Sequence, residues 1–178
     1  MLSTPTRSDE EIAANAAFDA LLWALSRPGQ VRELPAPGEG TLIAALLDRE
    51  CAVFCEDPLL IPAIMQTGAS ICDIALADHV FLGKLSTTKK LQDVRLGSDL
   101  YPDDGATVVV RASIGSGPAL RLTGPGVNGQ LDVQIDGLPD DLWETRKQLL
   151  RYPMGFDLFI IDSARIIGLP RSTEIEVL

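Results

Sequence analysis

Apolar positions follow two rhythms along this chain. From Ser8 to Ser26 they recur at helical spacing, placing Phe18, Leu21, Leu22 and Leu25 on one face. Ser8 followed by Glu11 supplies a capping box, and Arg27-Pro28-Gly29 ends this first helix. A Pro/Gly-rich connection through Pro35, Pro37, Gly38 and Gly40 leads to a second helix expected at 42–48. The apolar run CAVFC (51–55) then reads as a strand. Asp57-Pro58 has the form of an N-cap with proline at the first helical position, and Gly68 that of a C-terminal stop. Pro62 would remove a backbone donor there, so the start of that helix is expected to be irregular.

Further on, 79–82 is a short strand and 86–96 a helix ending at Gly97, followed by a turn-rich loop over 99–105. ATVVVRASI and ALRLTG read as two strands of a hairpin turned by Gly115-Ser116-Gly117-Pro118. LDVQID alternates as a half-buried strand should, and 139–150 is a helix with Leu142, Trp143, Arg146, Leu149 and Leu150 along one side. FDLFIID and RIIGL form a final hairpin around Asp162-Ser163-Ala164. The expected fold class is α/β: a single domain over 1–178, with one mixed β-sheet flanked by helices and residues 1–7 a flexible N-terminus.

A length of 178 residues suits one such domain. Hydrophobic residues make up 46% and charged residues 22%, which excludes a disordered chain. The net charge of −10 argues against nucleic acid or an anionic membrane as partner, because both demand a basic footprint. The start MLSTPTRSDEE is not a secretory signal, and the apolar stretch 59–82 is broken by Pro62, Gly68, Asp73, Asp78 and His79. The three cysteines are an odd number without a Cys-x-x-Cys pair, which fits a reducing cytoplasm. Cys51 and Cys55 on one strand lie about 13 Å apart, too far to share a metal. They are expected to be buried structural thiols.

Candidate chemistry is sparse. The single histidine, His79, excludes multi-imidazole metal sites and reads as a satisfied structural residue beside Asp78. There is no nucleophile elbow, no Walker pattern, and no lysine among Lys84, Lys89, Lys90 and Lys147 in a strongly hydrophobic setting. No catalytic residue, metal ligand or cofactor is assigned. Gly115, Gly117, Arg121 and Thr123 are candidate ligand-binding residues, since glycine turns can offer backbone donors to an anion and Arg121 lies close by; the same glycines also read as plain turns. Arg151 and Arg171 are candidate interface residues, because the planar guanidinium pairs bidentately with carboxylates. All three arginines read equally well as ordinary ion-pair partners.

Taken together, FDALLWALSRPG, TLIAALLDRECAVFC, DLYPDDGATVVVRASIGSGPALRLTGPGV and RYPMGFDLFIIDSARIIGLPRST occur in the order found in the phosphonate-metabolism family PhnH, which the chain resembles from Phe18 to Thr173. The resemblance implies an accessory subunit of the bacterial carbon–phosphorus lyase system. That system exchanges the adenine of ATP for a phosphonate before another subunit breaks the carbon–phosphorus bond. It further implies the partners PhnG, PhnI and PhnJ, a homodimer when alone, and a fold similar to pyridoxal-phosphate-dependent transferases without that cofactor. An alternative is a stand-alone binder of small anions acting through Gly115, Gly117, Arg121 and Thr123.

Overall fold

The computed structural model describes residues 7–178. The flexible start expected for 1–7 lies outside the described residues, apart from Arg7. The chain runs α1 (Asp9–Ser26), β1 (Arg32–Glu33), α2 (Gly40–Leu46), β2 (Ala52–Cys55), α3 (Ile61–Thr67), β3 (Ser70–Ile71) and β4 (His79–Lys84). It continues through β5 (Thr107–Arg111), β6 (Ser113–Thr123), β7 (Leu131–Asp136), α4 (Leu142–Leu149), β8 (Asp157–Asp162), β9 (Arg165–Leu169) and β10 (Glu174–Val177). The mixed α/β class is as expected, but the strands form two sheets. A seven-stranded sheet has the order β1-β9-β8-β5-β4-β2-β3, and a three-stranded antiparallel sheet has the order β10-β6-β7.

Within the large sheet β3, β2, β4, β5 and β8 run parallel, and β9 is antiparallel to both β8 and β1. Both faces of its central strands are covered, so those strands are continuous apolar runs. Successive side chains point to opposite faces. Val80, Leu82, Val108, Val110, Leu158, Ile160, Ile167 and Leu169 pack with Leu120, Leu122 and Ile135 of the small sheet and Leu142 of α4. Phe81, Val109, Phe159, Ile161 and Ile166 pack on the other side with Ala20, Leu21 and Ala24 of α1, Leu42 and Ile43 of α2, and Ile64 of α3. The result is three layers: helices, large sheet, and small sheet with α4.

The Ser8–Glu11 capping box forms in both directions, with Ser8 Oγ accepting from the Glu11 N–H at 3.1 Å. The four apolar residues assigned to one face of α1 divide, however. Leu21 is buried, Leu25 is half-buried, and Phe18 and Leu22 point to solvent. The buried face is made by small residues, Ala17, Ala20 and Ala24, which allow the helix to lie close on β9. Gly168 sits directly beneath it. A Cβ there would stand 2.7 Å from the Ala24 carbonyl group.

Other boundaries move for identifiable reasons. The helix expected at 42–48 is Gly40–Leu46, that at 139–150 is Leu142–Leu149, and that at 86–96 contracts to a 3-10 helix at Lys89–Asp93. The irregular start near Pro62 is a 3-10 turn, Pro58–Leu60, running into α3, and Gly68 closes α3 at φ +83°. Gly115–Pro118 is not a hairpin turn. Ile114 faces Ile135 and Ala119 faces Gln134, so the four residues between are an insertion within one long strand. A bulge of this kind satisfies the same glycine and proline pattern as a turn does. The final hairpin, β8–β9, forms as read. β1, β3 and β10 lack a legible signal; the first two are only two residues long and form the edges of the large sheet.

Gly168→Ala is expected to destabilise the protein by about 1–3 kcal/mol by forcing α1 off β9. A urea titration checks this: the midpoint falls while the slope is retained.

Candidate functional site

The parallel strands end in charge. β4 closes on Lys84, β5 on Arg111 and β8 on Asp162, each after an apolar run. These three carboxyl ends lie side by side along one edge of the sheet, where open α/β sheets hold their ligands. They line a cleft of about 640 Å³ together with Gly38 and Glu39 before α2, Ser113 at the start of β6, Asp136 at the end of β7, and Ser163.

Arg111 organises the cleft. Its Nε donates to Glu39 and its Nη2 donates to Asp57 at 2.9 Å, which ties the end of β5 to the approach to α2 and to the segment after β2. Glu39 is only 4% exposed and depends on this partner, since a buried carboxylate is costly without one. The pairing raises the pKa of Arg111, chiefly through the Glu39 hydrogen bond. The Leu59 N–H and then Arg111 hold the Asp57 carboxyl below its ordinary value. Asp162 is also engaged, accepting from the Ile114 N–H at 3.0 Å and from Arg165.

Ser163 has φ +58°, a left-handed conformation that glycine adopts freely and serine does not. Its carbonyl accepts from the Gly38 N–H at 3.0 Å, so the β8–β9 turn braces the segment leading to Glu39. None of these cleft residues was singled out for binding from the sequence. The available signal was three apolar strands, HVFLGK, TVVVR and DLFIID, each ending in a charged residue.

The residues singled out from the sequence lie elsewhere. Gly115 borders a second cleft of about 540 Å³ with Gln30, Ala119 and Asp132. Gly117 has φ +83°, and a Cβ there would lie 2.7 Å from the Ile135 carbonyl oxygen, so it permits a close strand approach. Arg121 makes a bidentate pair with Asp132, at 2.9 and 3.0 Å, from the position directly opposite on β7. Thr123 ends β6, facing Glu174 of β10.

Arg151 is exposed and reaches Asp99 at 3.5 Å. Arg171 is turned inward, donating to Asp157 at 2.8 Å and to the carbonyls of Pro102 and Gly105 at 2.5 and 3.3 Å. The three arginines thus each hold a carboxylate of this chain.

His79 and the cysteines need correction. Nδ1 of His79 is buried without a hydrogen-bond partner, so the residue is not satisfied. Burial lowers its pKa, outweighing the opposing pull of Asp78 and Asp48. Cys51, Cys55 and Cys72 are free and half-buried rather than buried, and desolvation pushes each thiol pKa up. No group of three or more His, Cys, Asp or Glu side chains suited to a metal occurs among the described residues. Nor is any described helix long and apolar enough to cross a membrane.

Two outcomes follow. Arg111→Ala leaves Glu39 buried without its cation and is expected to cost about 1–3 kcal/mol, below a fully buried pair because Arg111 is partly solvated. Adding Glu39→Gln should recover part of that loss in a double-mutant cycle. The second concerns pH. As pH falls through 6.5, the unfolded His79 takes up a proton before the folded one does. Stability therefore falls from pH 7.5 to 5.5, by at most about 1.4 kcal/mol per pH unit from this group. Urea titrations of His79→Gln should show a flatter profile over that window.

Comparison with known proteins agrees with the arrangement of motifs. Residues 5–176 match the family described as bacterial phosphonate metabolism protein (PhnH). A protein named as a candidate C-P lyase subunit, HtxG of Stutzerimonas stutzeri, is 34% identical over 171 residues, covering 90% of this chain and 85% of its own. The alpha-D-ribose 1-methylphosphonate 5-triphosphate synthase subunit PhnH of Rhizobium meliloti (strain 1021) is 28% identical, covering 95% of this chain and 93% of its own. With the match running over residues 5–176, from before α1 into β10, the chain belongs to the PhnH family of bacterial phosphonate metabolism proteins.

Proposed function

We propose that this chain is an accessory, non-catalytic subunit of a cytoplasmic carbon–phosphorus lyase core complex, acting in organophosphonate breakdown beside PhnG, PhnI and PhnJ and pairing with itself when alone. Family membership over nearly the whole chain carries this reading, and the names of the two relatives given above, both subunits, support it. The large sheet serves as a scaffold of the pyridoxal-phosphate-dependent transferase kind, used without that cofactor. Its five adjacent parallel strands support the likeness.

The outer face of α1 also supports a place in an assembly. Ile12, Phe18, Leu22 and Trp23 are between 41% and 58% exposed, on the side opposite the buried alanines. A helix apolar on both sides is ordinarily covered on both. Clustered exposed apolar side chains of this kind mark protein contacts. Trp23 carries Arg32 over its ring at 4.9 Å, the aromatic–arginine combination that anchors interfaces.

Native mass spectrometry after co-expression with PhnG, PhnI and PhnJ tests the reading. A heteromer containing this chain is expected, with no turnover of ATP and methylphosphonate by the chain alone. Phe18→Glu combined with Leu22→Glu should leave a folded chain and weaken its retention at least ten-fold. A complete complex of the other three that excludes the wild-type chain, or robust turnover by the pure chain, would overturn it.

A further inference from the structure

The cleft at the carboxyl ends of β4, β5 and β8 has a charge arrangement that narrows what it can hold. Three of its charged groups, Arg111, Glu39 and Asp162, are committed within the chain. Arg111 is held by Glu39 and Asp57, and Asp162 by Arg165 and the Ile114 N–H. Two others remain open to a ligand. Lys84 is exposed at the end of β4 and enters none of the ion pairs among the described residues. Asp136 is exposed at the end of β7, its Oδ1 occupied only by the adjacent Gly137 N–H at 2.8 Å. They carry opposite charges, line the same cleft and do not pair with each other.

A polyanion is a poor fit. The cleft's lining charges are Lys84 and Arg111 against Glu39, Asp136 and Asp162, so its sum is negative and it repels a triphosphate. A cation alone would leave Lys84 unanswered. The ligand that answers both open groups carries an anion at one end and an ammonium at the other. Ser113 and Ser163 also line the cleft. Ser163 stands at φ +58°, where glycine would relax the backbone, so its side chain is kept at a conformational cost. The floor is apolar, with Ala112 and Ile161, and about 640 Å³ lies within the range of small-molecule sites.

We infer that this cleft binds a small zwitterion, an ω-amino phosphonate or carboxylate, with its acid group on Lys84, its ammonium on Asp136 and Ser163 hydrogen-bonding between them. This goes beyond the subunit reading and does not depend on it, because binding is measured on the chain itself.

Isothermal titration of the full chain with 2-aminoethylphosphonate, β-alanine and methylphosphonate tests the inference. At least one zwitterion should bind saturably and about ten-fold or more tighter than methylphosphonate, which lacks the ammonium. The tighter of the two zwitterions identifies the acid group. Lys84→Ala and Asp136→Asn, both at exposed positions, should each weaken binding about ten-fold without loss of thermal stability. Ser163→Gly should raise the melting temperature while weakening binding, separating a ligand role from a merely structural one. Flat titrations with both zwitterions, equal affinity for methylphosphonate, or affinities unchanged in Lys84→Ala and Asp136→Asn would overturn the inference. Loss or retention of the heteromer is read independently by mass spectrometry, so failure of one proposal is not failure of the other.

Discussion

Burial of the central parallel strands on both faces is the constraint from which the rest of the molecule follows. A strand covered by helices on one side and by the small sheet and α4 on the other has no room for polar side chains along its length. Charge is therefore displaced to the strand ends, and the parallel arrangement gathers Lys84, Arg111 and Asp162 at one edge. The cleft is thus a direct product of the packing. Its walls come from segments attached to that edge, including the approach to α2 and the turn between β8 and β9.

Arginine does much of the internal fastening in this acidic chain. Arg111 spans two carboxylates on separate segments, and Arg171 joins Asp157 to the backbone of the 102–105 turn. Arg146, almost completely buried, donates to the carbonyls of Thr173, Leu169 and Pro170, binding α4 to the turn before β10. Burial lowers its pKa to about 10, which still leaves it charged near neutrality. Arg111 and Arg171 take Glu39, Asp57 and Asp157 with them, so the fastening is close to neutral in charge.

The architecture was legible where apolar pattern and punctuation agreed. The capping box of α1, the stop at Gly68 and the β8–β9 hairpin all announce themselves locally. What was hidden depends on partners distant in sequence. Two-residue strands such as β1 carry no periodicity, and Gly115–Pro118 reads identically as a turn or as an insertion until β7 is known to face both flanks. The close seating of the alanine face of α1 rests on Gly168, more than 140 residues away, where a Cβ would meet the Ala24 carbonyl. The cleft was missed for a similar reason. Lys84, Arg111 and Asp162 look like ordinary strand ends until the parallel order brings them together.

The two-residue edges of the large sheet have a wider bearing. β1 and β3 expose so few unpaired backbone groups that another chain cannot extend the sheet by adding a strand of useful length. The apolar core strands, which would be hazardous templates for fibrillar growth, are thereby fenced in on both flanks. Strand addition is left to the small sheet, whose two edges are β7 and β10. Backbone pairing, the contact least dependent on side chains, is thereby withdrawn from the sheet that carries the cleft.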